Sequence, residues 1–534
     1  MKYDQAGNVS RYKARLVARG FTQVEGKDYE ETYSPVPLMS TVRMLLQLIV
    51  ELRMKCTQDD IDCAFVNARL KEEIYMEQPE LFELDSLEGM ERLTKKDIVC
   101  YLVNALHGLK QASRAWFETI TELMLSNGFQ QSTSDPCLFT KVLRKGVVYV
   151  LVYVDDIIIA APDDGLINDV REMLRRRFKT KNMTKLEWYL GMRVERYFNG
   201  EIHLSQESYI DRVLERFEMA KCKPRSIPMN KNLKLSKEMC PKTEDKISEM
   251  KNVPYRQAVG AIMYIMVTLR PDICFYVSEV SRYLENPGSM HWNVVKSMLR
   301  YLKGTKDYGL MFRKIGHLNL VGYCDSSWSD DVDNSRSTGG YVFYLGGTAI
   351  SWKTKEQTCV AMSSAEAEYI ALSEASKEAL YLMKMVQDMH LELKLPIVIY
   401  EDNQSCIALV KRGTNGPKSK HIRRRYHFVR ELVKEGLLEV IYKPTEEMIA
   451  DALTKSLGKE KLSGFRKKMG VMKRPGQDTN DAEKTVSQCI NLDGSVEDGG
   501  QVVTNDDLCL DAWIEDAERI CGDVYECGAM VGLE

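Results

Sequence analysis

The stretch Gly146–Ala161 reads GVVYVLVYVDDIIIAA and sets two aspartates, Asp155 and Asp156, between two strongly apolar runs. Both runs are rich in valine and isoleucine, so they predict a buried β-hairpin with the two carboxylates at its turn. A turn chosen only for its shape would favour Asp-Gly or Asn-Gly, whereas Ile157 follows here. Paired carboxylates on a rigid hairpin therefore indicate a cation site, and a third carboxylate is expected at the end of another strand.

Residues 1–225 mix β-type runs with amphipathic helical stretches, which predicts an α+β unit around this hairpin. One of the β-type runs covers residues 14–18. In the same unit, the segment TQDDIDCAF offers Asp59, Asp60 and Asp62 as candidates for the third carboxylate.

A second α+β unit is predicted after a break in the pattern. Residues 226–254 are rich in Pro and Lys and predict a connecting segment, and residues 255–305 predict a small helical subdomain. Further on, YVFYL and TAISW flank Gly346-Gly347 and predict a hairpin. A long amphipathic helix (AEAEYIALSEASKEALYLMKMV), two buried strands and a closing helix (TEEMIADALTKSL) complete a mixed sheet with helices on its faces.

Four carboxylates of this second unit fall at the ends of predicted elements: Asp325, Glu368, Asp402 and Asp451. Sites form at the carboxyl ends of strands because loops and helix N-termini converge there. Carboxylates gathered at one edge repel each other unless cations neutralise them, and hard oxygen ligands suit Mg²⁺. Each aspartate alone is more often a cap or a surface group, but the set of four favours a magnesium site.

Two neighbouring glutamates are interpreted differently. Ser363 and Glu366 have the spacing of a capping box, which favours a structural role for Glu366. Glu401 directly precedes Asp402, and alternation along the strand predicts that it faces the opposite side as a solvated strand end.

Composition limits the class of protein. A chain of 534 residues is expected to form several domains. Its fourteen cysteines include no CxxC pair, which favours reduced intracellular thiols, and no signal-peptide or membrane-spanning pattern is found. From Pro475 onward there are fifteen acidic residues and two basic ones, which predicts a poorly ordered acidic tail. The remaining body is net basic, as suits either a polyanionic partner or a plain solvated surface.

Ordered blocks along residues 1 to 470 resemble the Pol polyproteins of copia-type retrotransposons. The blocks QDDIDCAFVNARLKEEIYMEQPE, LHGLKQASRAWF, SDPCLF and YVDDIII resemble the reverse transcriptase. The blocks GYCDSSWSDDVDNSRSTGGYVF, AMSSAEAEYIAL, EDNQSCIAL and ADALTKSL resemble the ribonuclease H region. The resemblance implies an α+β and α/β multidomain chain: a right-hand polymerase palm and fingers, a helical thumb or connection, and a ribonuclease H-like mixed sheet.

The resemblance also implies domain bounds. Residues 1–225 would form the fingers and palm with part of the fingers missing at the N-terminus, residues 226–310 the thumb or connection, and residues 311–460 the ribonuclease H-like domain. Residues 461–534 would be the acidic tail.

Carried over position by position, the family pattern places the first catalytic aspartate of the polymerase at Asp60. Asp155 and Asp156 complete the triad, and Asp59 and Asp62 become neighbours rather than ligands.

Other positions resemble binding residues of the family. Phe65 stands at the position that excludes a 2′-hydroxyl, where an ordinary core phenylalanine is the alternative. Arg15 and Lys13 resemble residues that clamp the triphosphate, and Lys110 and Gln111 lie in the block expected near the incoming base.

Two further segments are interpreted by the same resemblance. Trp188–Met192 (WYLGM) resembles a primer grip. The basic run Lys418–Arg425, which includes Arg423 where family members often have an acidic residue, would contact backbone phosphates or form a solvated face.

The implied activity is RNA-directed DNA polymerase with ribonuclease H, each site using two Mg²⁺ or Mn²⁺ ions about 3.5–4 Å apart. The implied partners are an RNA template, a DNA primer, an RNA–DNA hybrid and deoxynucleoside triphosphates, with no membrane; no oligomeric state is implied. The expected location is cytoplasmic, in virus-like particles, or nuclear. The alternative is a catalytically inactive relic or a co-opted nucleic-acid-binding protein, because the chain starts inside the polymerase region and ends in an unrelated tail.

Overall fold

A computed structural model describes residues 2–3, 9–11, 16–79, 98–181, 185–412 and 420–475. The chain divides into two compact units. The first consists of Met1–Thr41 and Met54–Leu186, and the second of Val42–Arg53 and Glu187–Glu534. The first part of the predicted acidic tail, residues 461–475, contains most of the helix Lys459–Lys468 and the strand Val471–Lys473, and position 476 onward lies outside the described residues.

The elements are named in chain order over the described residues. The strands are β1 (Lys2–Tyr3), β2 (Val9–Arg11), β3 (Lys55–Ile61), β4 (Arg69–Glu77), β5 (Val99–Asn104), β6 (Gln130–Gln131), β7 (Leu138–Leu143), β8 (Gly146–Tyr153), β9 (Asp156–Ala161), β10 (Thr180–Lys181), β11 (Trp188–Tyr189), β12 (Met192–Arg196), β13 (Ile202–Ser205), β14 (Tyr308–Phe312), β15 (Leu320–Ser327), β16 (Thr338–Leu345), β17 (Thr348–Glu356), β18 (Ile397–Glu401), β19 (Leu438–Tyr442) and β20 (Val471–Lys473). The α-helices are α1 (Met39–Glu51), α2 (Ala112–Ser126), α3 (Asp164–Arg177), α4 (Glu207–Arg216), α5 (Glu244–Lys251), α6 (Tyr255–Thr268), α7 (Cys274–Ser281), α8 (Ser289–Lys303), α9 (Ser364–Asp388), α10 (Gln404–Arg412), α11 (Lys420–Lys434) and α12 (Lys459–Lys468).

The first unit is built on an antiparallel sheet with strand order β10-β3-β9-β8-β7-β6. The quoted hairpin forms its two middle strands, β8 and β9, and is almost entirely buried, as the apolar runs predicted. Helix α2 contributes Trp116, Ile120 and Met124, spaced four residues apart, to the same hydrophobic cluster as these strands. The hairpin therefore has packed support on a helix-covered face.

The second unit contains a mixed sheet with strand order β17-β16-β15-β18-β19. Strands β15, β18 and β19 run parallel to one another, and β16 and β17 are antiparallel neighbours. Helix α9 packs on β15 and β16. Its N-cap is Ser363, whose side chain accepts a hydrogen bond from the Glu366 backbone N–H, so the predicted start of this helix is confirmed.

The rest of the second unit holds an antiparallel sheet with order β11-β12-β13-β14-β20 and the helices α4–α8. The part of α1 that belongs to this unit, from Val42 onward, is anchored by the buried Arg43. Its Nε donates to the Ile350 carbonyl at 2.7 Å, and its Nη1 donates to the carbonyls of Val267 and Thr268 at 2.8 Å each. These bonds satisfy the guanidinium, which otherwise would be costly to bury.

Three expectations from the sequence are wrong in detail. Residues 16–18 of the predicted strand 14–18 lie in no strand, and the predicted connecting segment contains α5. The closing helix is replaced by two 3₁₀-helices, Thr445–Glu447 and Ile449–Leu453. The Leu453 carbonyl accepts a hydrogen bond from Thr354 Oγ1 at 2.7 Å, and the Leu457 N–H, which would bond to this carbonyl in an α-helix, donates to Tyr276 Oη at 3.2 Å.

The predicted domain bounds at 225, 310 and 460 remain predictions. Within the described ranges, no helix combines the length and apolar character needed to cross a bilayer.

Candidate active sites

The Asp60 site consists of Asp60, Asp155 and Asp156 in the first unit. Asp60 on β3 and Asp156 on β9 are directly opposed residues of neighbouring antiparallel strands, so their side chains leave the sheet on the same face. Asp155 lies in the turn beside them, and its carbonyl accepts the Ile61 N–H at 3.0 Å. The structure therefore brings the three predicted aspartates to one place.

The turn differs from the prediction, which put both aspartates in it. Val154 and Asp155 form the two-residue turn, whereas Asp156 is already the first residue of β9 and pairs with Tyr153. Val154 has φ 52°, a left-handed conformation that is costly for a β-branched residue. Trp116 Nε1 donates to the Val154 carbonyl at 2.7 Å and helps to hold it there.

The three aspartates have different surroundings. Asp155 is exposed, while Asp60 and Asp156 are half-buried. Burial, together with the charges of Asp155 and Asp60, raises the pKa of Asp156 to about 7, although its Oδ1 accepts a hydrogen bond from Gln58 Nε2 at 3.0 Å. A carboxyl group in such a position ionises readily only when a cation is near.

A lysine that sequence reasoning missed contacts this site. Lys181 is the cross-strand partner of Asp60, and its Nζ lies 2.5 Å from Asp60 Oδ2 and 2.5 Å from Asp62 Oδ1. Asp59 is almost fully buried, and its Oδ2 lies 2.9 Å from Arg171 Nε. Of the three candidates in TQDDIDCAF, Asp60 is thus the one opposed to Asp156. A cation at Asp60 would compete with the Lys181 ammonium for the same oxygen.

The residues predicted to bind substrate lie around the first unit. Phe65 is in a short 3₁₀-helix (Ala64–Asn67), half-buried, with its ring 5.1 Å from that of His107 in an edge-to-face contact. Lys110 is exposed and donates to Tyr29 Oη at 2.9 Å. Arg15 and Lys13 lie outside the described residues.

Gln111 makes hydrogen bonds within the first unit. Gln111 is buried; its Nε2 donates to the Asp28 carbonyl at 2.9 Å and its Oε1 accepts from Gln23 at 3.0 Å. Its amide is therefore already engaged with residues 23–28.

The segment Trp188–Met192 forms a tight turn between β11 and β12 in the second unit. Of the basic run Lys418–Arg425, only Lys420–Arg425 is described, at the start of α11.

The Asp325 site consists of Asp325, Glu368, Asp402 and Asp451 in the second unit. The parallel strands β15 and β18 pair Tyr323 with Tyr400, so Asp325 and Asp402, two residues further along each chain segment, lie at the same end of the sheet. Glu368 is in the second turn of α9, and Asp451 is in the 3₁₀-helix Ile449–Leu453.

Carboxylate oxygens of this site form two close groups. One oxygen each of Asp325, Asp402 and Asp451 lie within 4.8 Å of one another, and so do one each of Glu368, Glu401 and Asp402. The structure therefore brings the four predicted residues together and adds Glu401. Over the described part of the chain, no other group of three or more such ligands is as close, and the Asp60 site is not one of them.

Two lysines and two threonines contact the aspartates of this site. Lys455 Nζ lies 2.7 Å from Asp451 Oδ1 and 3.3 Å from Asp325 Oδ1. Lys461 Nζ lies 2.5 Å from Asp451 Oδ2. Thr454 Oγ1 donates to Asp325 Oδ2, and Thr445 Oγ1 donates to Asp402 Oδ2 at 2.7 Å.

Sequence reasoning missed both lysines. The spacing of Lys455, four residues after Asp451, was an available signal for their ion pair.

The interpretation of Glu401 as a solvated strand end is wrong, because Glu401 is 0% exposed. Alternation does separate it from Asp402, but it places Glu401 on the buried face of β18 with Ile397 and Ile399. Its carboxylate accepts hydrogen bonds from Cys324 Sγ at 3.2 Å and from the Asn403 N–H at 3.1 Å.

The buried carboxylates of the Asp325 site are strained electrostatically. Burial raises the pKa of Asp325, Glu368 and Glu401, and the negative charges of their neighbours raise the pKa values further. Glu368 Oε2 is buried without a hydrogen-bond partner. An unpartnered carboxylate oxygen among other hard oxygen donors fits a divalent cation such as Mg²⁺ or Mn²⁺.

These shifts predict how stability depends on pH in the metal-free chain. The pKa values of Asp156, Asp325, Glu368 and Glu401 are raised above 3.8 for Asp and 4.5 for Glu, that of Asp156 to about 7. The folded state then binds more protons than the unfolded state, so the free energy of unfolding falls as pH rises from about 4 to about 7. Urea denaturation in EDTA at several pH values measures this fall.

Mg²⁺ provides the control for that measurement, since a cation that stabilises the ionised carboxylates should make the fall smaller. Asp156→Asn isolates one group, because the neutral amide removes its share of the slope. An Asp156→Asn chain with the same slope as the unmodified chain would contradict the assignment.

Comparisons with known proteins agree with the early resemblance. Residues 1–231 match the family model "Reverse transcriptase (RNA-dependent DNA polymerase)". The retrovirus-related Pol polyprotein from transposon TNT 1-94 of Nicotiana tabacum is 42% identical over 473 residues, which cover 88% of this chain and 35% of that protein. A Ty5-1 transposon protein of Saccharomyces cerevisiae is 32% identical over 320 residues, which cover 60% of this chain and 99% of that protein.

A solved structure is also similar over a part of the chain. The match with the ribonuclease H1 of Halobacterium salinarum covers 26% of this chain and 94% of that chain, with 20% identity and a TM-score of 0.20. The chain spans only about a third of the tobacco polyprotein and of two related polyproteins of Arabidopsis thaliana, 35%, 32% and 31% of their lengths. With these sequence matches, the predicted resemblance is confirmed: the chain belongs to the copia-type, retrovirus-related transposon Pol polyproteins.

Proposed function

We propose that the chain is an RNA-directed DNA polymerase with a separate ribonuclease H site that cuts the RNA strand of RNA–DNA hybrids. The observation that supports the polymerase most is the direct opposition of Asp60 and Asp156 on central strands inside the region that matches the reverse transcriptase family. Right-hand palm and fingers in the first part and a thumb or connection after it belong to this proposal.

In the polymerase, Asp60, Asp155 and Asp156 would hold divalent cations at the end of the β8–β9 hairpin. Phe65 would restrict the sugar to a deoxynucleotide through the bulk of its ring. The exposed Lys110, with its ammonium at the surface, would attract phosphate, whereas Gln111 would act by holding residues 23–28.

In the ribonuclease, Asp325, Glu368, Asp402 and Asp451 would hold the cations. Lys455 and Lys461 would leave the aspartates when cations arrive, and their ammonium groups could then contact phosphate oxygens of the hybrid. Bound cations would lower the pKa of the attacking hydroxyl or water and would neutralise negative charge at the phosphate. We propose two ions per site.

One experiment tests both parts. The purified chain is given a poly(rA) template, an oligo(dT) primer, dTTP and Mg²⁺ or Mn²⁺, and in parallel a hybrid with a labelled RNA strand. We expect primer extension and RNA cleavage, both abolished by EDTA because the proposed chemistry needs divalent cations at the acidic clusters. Extension no greater than that of an Asp155→Asn, Asp156→Asn chain would refute the polymerase.

A non-catalytic nucleic-acid-binding protein, the alternative function, would give a different result in these assays. Such a protein would bind the template–primer in a gel-shift assay, with an affinity that falls as salt rises, but would neither extend nor cleave.

A further inference from the structure

We propose that Glu401 is a cation ligand, which with Glu368 and Asp402 forms a cation position beside the one formed by Asp325, Asp402 and Asp451. This inference rests on the proposed ribonuclease function, because it adds a fifth carboxylate to that site.

Geometry is the first support. One oxygen each of Glu368, Glu401 and Asp402 lie within 4.8 Å of one another, which places three hard oxygen donors around one point. Asp402 belongs to both close groups, so the two cation positions would share a bridging carboxylate, as neighbouring divalent ions commonly do.

The second support is a group that lacks a partner. Glu368 is 6% exposed, and its Oε2 is buried with no hydrogen-bond partner. Buried polar atoms are nearly always satisfied, so an orphaned carboxylate oxygen beside two other carboxylates indicates a missing positive ligand. Among the described residues, no Lys or Arg nitrogen lies within 4.0 Å of Glu368 or Glu401, and Lys455 attracts Glu368 only from a greater distance.

The group formed by Asp325, Asp402 and Asp451 differs from this one because lysines contact it. There Lys455 and Lys461 supply positive charge to Asp325 and Asp451. Three carboxylates without a lysine in contact repel one another when they are ionised. A divalent cation of small radius, Mg²⁺ or Mn²⁺, would relieve this repulsion.

A structural role for Glu401 is the alternative explanation. Its carboxylate accepts hydrogen bonds from Cys324 Sγ and from the Asn403 N–H, and a glutamine could accept the same bonds through its amide oxygen. Glu401→Gln therefore separates the two roles, because it keeps an acceptor and removes the charge.

The test measures Mn²⁺ binding by titration calorimetry without nucleic acid. It uses the full chain with Asp155→Asn and Asp156→Asn in every sample, so that the Asp60 site does not contribute. We expect Glu401→Gln to weaken Mn²⁺ at one position at least about 10-fold. The matched control is Glu439→Gln on the neighbouring strand β19, where the glutamate is exposed and should not affect binding.

Thermal unfolding checks that the variant folds. Without metal, Glu401→Gln should have a melting temperature at or above that of its parent, since one repelling charge is gone, and it should gain less stability from Mn²⁺. If Glu401→Gln does not fold, Glu401→Asp serves in its place, because the shorter side chain keeps the charge but withdraws the oxygens. Equal Mn²⁺ affinity in the folded variant and its parent would overturn the inference.

Failure of this inference can be distinguished from failure of the proposed function. If the unmodified chain cleaves hybrid and Glu401→Gln binds Mn²⁺ normally, only the role of Glu401 is wrong. If the unmodified chain does not cleave, the proposed function is wrong, and the loss or retention of Mn²⁺ in Glu401→Gln still decides whether Glu401 is a ligand.

Discussion

Asp325→Asn is expected to reduce cleavage of the RNA strand at least about 100-fold, because it removes a charged oxygen donor from the centre of the Asp325 site. Asp325 is fully buried, with Oδ2 accepting from Thr454 and Oδ1 facing Lys455. An asparagine can keep the bond from Thr454, but its amide N–H groups would then face the lysine ammonium. We therefore also expect a loss of stability of about 1–3 kcal/mol in the metal-free chain.

Cleavage of a labelled RNA–DNA hybrid measures the first effect, and urea denaturation in EDTA measures the second. The matched control is Asp245→Asn, since Asp245 is exposed in the first turn of α5 in the same unit. Primer extension by the Asp325→Asn chain should remain close to that of the unmodified chain, because it depends on a different unit. Cleavage that survives in Asp325→Asn would show that the site is misplaced.

Asp156→Asn is expected to have the opposite pattern, with primer extension reduced at least about 100-fold and hybrid cleavage retained. The amide is nearly the same shape as the carboxylate, and its oxygen can still accept from Gln58. Because burial and acidic neighbours raise the pKa of Asp156 to about 7, we expect that a neutral side chain at this position does not lower the stability of the fold. Loss of extension would then reflect lost charge rather than lost structure.

Primer extension with dTTP measures this effect, and the melting temperature in EDTA at pH 8 should be equal to or higher than that of the unmodified chain. Asp169→Asn is the matched control, because Asp169 is an exposed aspartate on α3 in the same unit. Extension by Asp156→Asn at the level of this control would contradict the assignment of the Asp60 site. Together the two variants separate the activities.

The buried hairpin, the long helix α9 and the parallel strands of the second unit could be predicted because their side-chain patterns are strong and local. The four carboxylates of the Asp325 site could be found because each lies near the end of a predicted element, although the helix predicted around Asp451 is replaced by two 3₁₀-helices. The three candidates near Asp60 were not separable by local pattern. The family resemblance selects Asp60 among them, and the register of β3 against β9, which is a long-range property, places Asp60 opposite Asp156.

Other features depended on tertiary contacts that no local pattern records. Alternation placed Glu401 and Asp402 on opposite faces correctly, but only the packing of the sheet decides that the face of Glu401 is buried. The ion pairs of Lys181 with Asp60 and of Lys455 with Asp325 join residues distant in sequence. In place of the predicted closing helix, the Leu453 carbonyl accepts from Thr354 and the Leu457 N–H donates to Tyr276, both of which belong to other elements.

The left-handed Val154 has a consequence for conformational entropy. A glycine would adopt φ 52° without strain, but it would also adopt many other conformations in a turn that must hold Asp155 in place. A valine has fewer accessible backbone conformations than a glycine. Once packing holds Val154 at this φ, the turn has little conformational freedom to lose when a charged ligand binds. A turn restricted in this way would lower the entropic cost of the cation binding that we propose at the Asp60 site.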